Sequence, residues 1–252
     1  MLDPTKRFSN RAEAYVKSRP RYPPEIIPLL QRDCGLTSNS IVADIGSGTG
    51  FLTELFLKNG NRVFGIEPNG EMRVAGEHLL AGYPNFTSVD AAAEATKLPD
   101  HSVDFVTAGQ AFHWFDRNAA HREFARILKR AGWVVIAWNG LRVEKSKVVA
   151  GYHDVLLRFG TDYRIVALEI EDSQVESFFA SGSCKLARFE FRQIFDFEGL
   201  KDRLLSASFA PQPGEPNYEA IIDELRKVFE ANQADGTVPF DYDTEVYYGR
   251  LG

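Results

Sequence analysis

Cysteine is nearly missing: two residues in 252, Cys34 and Cys184. That excludes a disulfide framework and any zinc site built from paired cysteines. His78, His101, His121 and His153 show no metal-ligand spacing either, so no metal is expected. No stretch approaches the roughly 18 consecutive apolar residues that a membrane helix needs. The leading MLDPTKRFSNRAEAY is polar and unlike a signal peptide. The expectation is a cytoplasmic protein with no membrane partner. Positive charge is not in excess: 29 Lys and Arg stand against 35 Asp and Glu, a formal charge of −6. No nucleic-acid partner is expected from that balance. Internal repeats and low-complexity tracts are absent. Oligomeric state is left open.

What is present is a rhythm. Ser40 to Ile45 is a short apolar run ending in glycines, as a buried parallel strand requires. FLTELFLKNG follows as a helix stopped at Gly60, then Arg62 to Glu67 as a strand and NGEMRVAGEHLLAG as a helix. NFTSV and SVDFVTAG read as strands three and four. A helix from Asn118 through NAAHREFARILKRAG, capped at Gly132, leads to a fifth strand in WVVIAWN. Strands alternating with helices predict right-handed crossovers and a parallel, doubly wound α/β sheet. After Trp138 the rhythm breaks. Glu144–Gly160 and Ile170–Ser181 read as helices, Lys185–Phe195 as a strand, EGLKDRLLSAS and YEAIIDELRKVFEAN as helices, and Val246–Leu251 as a closing strand. The proline-rich Phe209–Tyr218 either lines a pocket or is a rigid surface loop.

The decisive stretch is DIGSGTG, Asp44 to Gly50. A glycine-rich turn after a strand usually cradles phosphate, and the dinucleotide fingerprint is G-x-G-x-x-G. Here the spacing is G-x-G-x-G, with Phe51 where that third glycine would fall. Asp44, two residues before Gly46, would repel a diphosphate and attract a cation. At ~4 Å and an effective dielectric near 20 the attraction is on the order of 4 kcal/mol before desolvation. Glu67, about 20 residues past the turn, suits ribose hydroxyls of any nucleoside cofactor. Ala93 and Glu94 follow the third strand. They either leave room for an adenine and meet its amino edge or form an exposed helix start.

Taken together, VADIGSGTG, GIEPNGEM, AAAEATKLPDHSVDFV, GQAFHWFD and LKRAGWVVIAWN resemble the successive motifs of class I S-adenosylmethionine-dependent methyltransferases. They are most similar to the small-molecule, trans-aconitate methyltransferase-like branch. The resemblance covers about residues 8–140. It implies a Rossmann-like, seven-stranded, mostly parallel sheet with the last strand antiparallel. It also implies one methyltransferase domain over 1–252: an N-terminal helical lid (1–40), a cofactor-binding core (41–140), a helical cap insertion (141–185) and a return to the sheet (186–252). The cofactor implied is S-adenosylmethionine. Its methionine part would lie against Asp44, Gly46, Ser47, Gly48 and Gly50, its ribose at Glu67, and its adenine near Pro68, Met72, Ala93 and Glu94. Gln110 and Ala111 would meet it through backbone groups. The leading FSNRAEAYVKSRPRYP also resembles the family's first segment, in which Tyr15 and Arg19 would reach the cofactor's carboxylate; otherwise it is a basic, solvated surface stretch. The acceptor, a small molecule methylated on a carboxylate or hydroxyl oxygen, would sit by His113, Trp114 and Tyr22. His113 is either a general base, an acceptor-orienting donor or a packed loop residue. Two rival readings stay open: a cofactor-binding module without transfer, and an NAD-linked oxidoreductase.

Overall fold

IVADI, apolar toward both sides, becomes β1 (Ile41–Ile45), a central strand in a seven-stranded sheet of order β3-β2-β1-β4-β5-β7-β6. The computed structural model describes residues 18–161, 172–207 and 209–251. In chain order the elements are α1 (Ile26–Cys34), β1, α2 (Phe51–Lys58), β2 (Arg62–Ile66), α3 (Gly70–Leu79), β3 (Phe86–Val89) and β4 (Val103–Gly109). A 3-10 turn (Phe112–Trp114), α4 (Arg117–Ile127), β5 (Leu128–Leu141), α5 (Lys147–Phe159) and α6 (Asp172–Glu176) follow. β6 (Lys185–Phe195), α7 (Phe197–Leu205), α8 (Tyr218–Asn232) and β7 (Val238–Gly249) complete the described chain.

β1 to β5 run parallel, and β7 runs antiparallel between β5 and β6. The expected α/β architecture with one reversed strand is therefore present. Period-two alternation splits each central strand between two cores. Ala43, Val106 and Ile136 join Phe112 and Phe124 on one face. Val42, Phe105 and Val135 join Ile26, Leu30 and Phe56 on the other. A further cluster unites α5, α7 and α8 with the start of β7, around Tyr152, Leu204, Leu225 and Phe240. Helix starts follow the side chains available: Asn69 accepts from Met72 N, Asp116 from Asn118 N and Ala119 N, and Asp196 from Gly199 N.

Three expectations need correction. α4 ends at Ile127, not Gly132, because Ser102 N and His101 N take the carbonyls of Ile127 and Arg126 and draw the chain straight into β5. Gly132 instead occupies a tight place in β5, where a Cβ would stand 2.6 Å from Leu128 Cδ2. β7 starts at Val238, eight positions before the expected Val246. VPFDYDTEV alternates, and Val238, Phe240, Tyr242, Thr244 and Val246 are all buried. Lastly, the described parts of 141–185 diverge. Val149 and Tyr152 of α5 join the α7–α8 cluster, whereas Val175 and Phe178 pack with Phe112 and Phe124. Residues 170 and 171 of the expected helix Ile170–Ser181 lie outside the described residues, its described part holds the short α6, and Ser146 caps α5. No helix among the described residues is long and apolar enough to cross a membrane.

Candidate active site at the carboxyl ends of the central strands

A doubly wound sheet leaves a crevice where the crossovers part, on either side of the first strand. Here that crevice is a cavity walled by the turns after β1 to β4, by Asn139 of β5, by Arg19, Pro20 and Tyr22 ahead of α1, and by Arg203 of α7. Of the residues expected at the methionine part, Asp44, Gly46, Ser47, Gly48 and Arg19 line it. Glu67, Pro68, Met72, Ala93 and Glu94 do as well, along with Gln110, Ala111, Trp114 and Tyr22. Gly50 and His113 are not in the lining, and Tyr15 lies outside the described residues. No described residue of 141–185 lines the cavity.

The turn itself is held by backbone chemistry. Gly46, Gly48 and Gly50 have φ of 65°, 55° and 89°, the left-handed region where a Cβ is strained. Gly46 N and Ser47 N both donate to Ile66 O, at 2.8 and 3.1 Å. A Cβ on Gly46 would lie 2.5 Å from the Ala111 Cβ, so this glycine lets the β4 loop close onto the β1 turn. Gly50 acts behind the wall, as the residue preceding α2. Its absent side chain admits Leu80, whose Cδ1 would stand 2.6 Å from a Cβ.

Two carboxylates face this turn. Asp44 is 1% exposed. Its Oδ2 accepts from Thr53 Oγ1 at 2.6 Å and its Oδ1 from Thr107 Oγ1 at 2.9 Å. Burial pushes its pKa up to about 6 against the pull of those hydroxyls, with the neighbouring Glu67 adding to the rise. Glu67 directly follows β2 and accepts from Gly48 N at 2.9 Å and Asn69 N at 2.8 Å. Burial raises its pKa too, while the two amides oppose the shift. The Thr49 hydroxyl, 1% exposed and lining the same cavity, has no hydrogen-bond partner among the described residues. Removing one hydroxyl from Asp44 should therefore be felt: Thr53→Val is expected to raise the Asp44 pKa above its present value of about 6. A pH titration of ligand affinity would show the midpoint moving upward; an unmoved midpoint would contradict the role given to Thr53.

Comparison with known proteins places this geometry. Residues 43–136 match the family model described as a methyltransferase domain. An uncharacterized methyltransferase of Mycobacterium tuberculosis is 36% identical over 162 residues, covering 64% of this chain and 63% of that protein. The chain thus matches less than two thirds of that relative's length. Over these residues the chain is similar to methyltransferases. An uncharacterized methyltransferase of Schizosaccharomyces pombe is 27% identical over 248 residues, 96% of both chains. The fold agrees with the solved structure of a provisionally named type II methyltransferase from Anaeromyxobacter dehalogenans: TM-score 0.68, 22% identity, covering 92% of this chain and 97% of that one.

The donor set of this cavity fits S-adenosylmethionine. A buried carboxylate bonded by hydroxyls, a second carboxylate fixed by backbone amides and an orphaned buried hydroxyl converge on one cavity. They match a ligand that brings an ammonium, a sulfonium and ribose hydroxyls. The matched segment contains Asp44, Glu67 and Gln110 but neither Arg19 nor Arg203. Arg19 was legible in the sequence motif. Arg203 was not, because a basic residue inside KDRLL reads as a solvated helix face. Thr49, Phe115 and Asn139 also line the cavity without having been singled out. Glu94 is held by Asp116 N at 2.9 Å, and Gln110 Nε2 donates to Asn139 O at 3.0 Å. His113 packs its ring on Trp114 and Trp138, with centroids 4.4 and 5.0 Å apart.

Proposed function

We propose that the protein transfers a methyl group from S-adenosylmethionine to an oxygen of a small organic molecule, a carboxylate in preference to a hydroxyl. The observation that carries the reading is Asp44: a fully buried carboxylate in the cavity wall, where a diphosphate would be repelled and an ammonium held. Asp44 would bind the cofactor's ammonium and Glu67 its ribose hydroxyls, while Pro68, Met72 and Ala93 would pack on the adenine. Bound S-adenosylmethionine supplies a methyl group on a sulfonium, a leaving group already charged. What remains for the chain is alignment and exclusion of water. Gln110, anchored on Asn139, fixes the β4 loop, and Trp114, Phe115 and Leu52 keep the wall apolar.

The preference for a carboxylate follows from the lining. No histidine is among the described cavity residues, and an acid ionised near pH 7 needs no base. A small acid also agrees with the trans-aconitate methyltransferase-like branch that the motifs resemble. His113→Ala is accordingly expected to keep turnover within about threefold at every pH, since a carboxylate acceptor near pKa 4 is already ionised. A thousandfold loss that recovers at high pH would instead make His113 the base. The reading as a whole is tested by calorimetry with S-adenosylmethionine and by labelled methyl uptake across small acids and phenols. A folded protein that binds no S-adenosylmethionine would end it.

A further inference from the structure

Arg203 lies in α7, outside the segment that matches the family model, and is 6% exposed in a cluster of Leu200, Leu204, Phe240 and Tyr242. Its Nε donates to Tyr242 OH at 3.0 Å, and the guanidinium carbon stands 5.7 to 6.0 Å from the ring centroids of Tyr152, Phe240 and Tyr242. Burial raises the Tyr242 pKa, so that phenol remains neutral near pH 7. A permanent positive charge is thus fixed among aromatic faces, and it forms part of the cavity wall. A second guanidinium joins it. Arg19 Nε donates to Ser206 Oγ at 2.9 Å and Arg19 Nη2 to Ser206 O at 3.2 Å, while Ser206 Oγ donates to Arg203 O at 2.7 Å.

The charges of the cavity are therefore sorted by place. Asp44 lies in β1, and Glu67 and Glu94 follow β2 and β3, whereas Arg203 hangs on Tyr242 of β7, opposite Leu141 at the end of β5. In the order β1-β4-β5-β7 that is three strand spacings, about 14 Å of sheet. An in-line transfer needs the acceptor on the side of the methyl group away from the cofactor, and the β5–β7 side is where the buried guanidinium stands.

Resting on the methyltransferase reading above, we propose that Arg203 holds an anionic group of the methyl acceptor, so that the substrates are organic anions and their neutral counterparts are rejected. A guanidinium in an aromatic setting is preorganised and weakly hydrated, which suits a planar carboxylate. A neutral amide offers one carbonyl oxygen where a carboxylate presents two charged oxygens to the planar fork.

The test uses the full chain with saturating S-adenosylhomocysteine and paired probes: benzoate and benzamide, 2-hydroxybenzoate and 2-hydroxybenzamide, succinate and succinamide. Binding is read by calorimetry and thermal shift in wild type, Arg203→Gln and Arg203→Lys. In wild type at least one acid is expected to bind about tenfold more tightly than its amide. Arg203→Gln should abolish that preference and leave S-adenosylhomocysteine affinity within about twofold, with Arg203→Lys, which keeps the charge but loses the planar fork, in between. No acid preference in any wild-type pair, or an undiminished one in Arg203→Gln, would overturn the proposal. So would a selective loss of S-adenosylhomocysteine binding in Arg203→Gln, which would put Arg203 on the cofactor. Should Arg203→Gln not fold, an undiminished preference in Arg203→Lys has the same force. If wild type binds no S-adenosylhomocysteine at all, the methyltransferase reading fails first, and the two failures are told apart.

Discussion

Asp44→Asn is expected to make the ligand-free protein more stable and its cofactor binding weaker. The native pKa of Asp44 is about 6 against 3.8 for an unperturbed aspartate, with burial as the largest cause. Because the native value is the higher one, the ionised carboxylate opposes folding. The penalty is absent below the unfolded pKa, grows between 3.8 and about 6, and is fully present above. At 1.36 kcal/mol per pKa unit it amounts to about 3 kcal/mol at pH 7.5. An asparagine keeps the hydrogen bonds to Thr53 and Thr107 within reach and removes the charge. Denaturant melts should show a gain near that size at pH 7.5, fading toward pH 4. Calorimetry should show S-adenosylmethionine affinity reduced on the order of 10- to 100-fold, the worth of a hydrogen bond to a charged group. Wild-type affinity should itself fall as pH drops through about 6, as Asp44 takes up a proton. Unchanged affinity in Asp44→Asn at pH 7.5 would remove the basis for a cation at this turn.

Gly46→Ala should cost about 2–4 kcal/mol of stability, from left-handed backbone strain and overpacking together. The backbone there has φ of 65°, and the new methyl would stand 2.5 Å from the Ala111 Cβ, a short side chain unable to move aside. Relief requires the Gln110–Ala111 loop to withdraw from the β1 turn, which opens the cofactor wall. Gly35→Ala is the control: φ is 71°, yet nothing lies within 4 Å of the added Cβ. Only the backbone term of about 1–2 kcal/mol applies, and cofactor binding should be untouched. Chemical denaturation and calorimetry on both variants separate the two contributions. Equal losses in both would show that the contact with Ala111 carries no energy.

The core of the fold was written locally. IVADI and RVFGI are apolar runs ending in turn signals, and each is a strand close to its expected bounds, while WVVIA holds the buried stretch of a β5 that begins five residues earlier, at Leu128. The turn at Asp44–Gly50 and the carboxylate at Glu67 were likewise readable, since residue type and spacing alone specify close backbone approach and charge. The helix expected to reach Gly132 was misjudged because its last carbonyls are taken by His101 N and Ser102 N, a contact between segments that propensity does not encode. β7 was shortened because its charged alternate residues masked the buried face of VPFDYDTEV.

Sequence by itself therefore determined the α/β class, the strand-ending turn and the negative charges that favour a cationic cofactor, all properties of neighbouring residues. Only tertiary structure decided that Asp44 is fully buried, that His113 packs on Trp114 and Trp138, and that Arg203 enters the cavity from α7. The physical reason is common to all three. Burial and the meeting of charges depend on which distant segments the sheet order brings together, and β7 closing between β5 and β6 carries Tyr242, and with it Arg203, to a site begun some two hundred residues earlier in the chain.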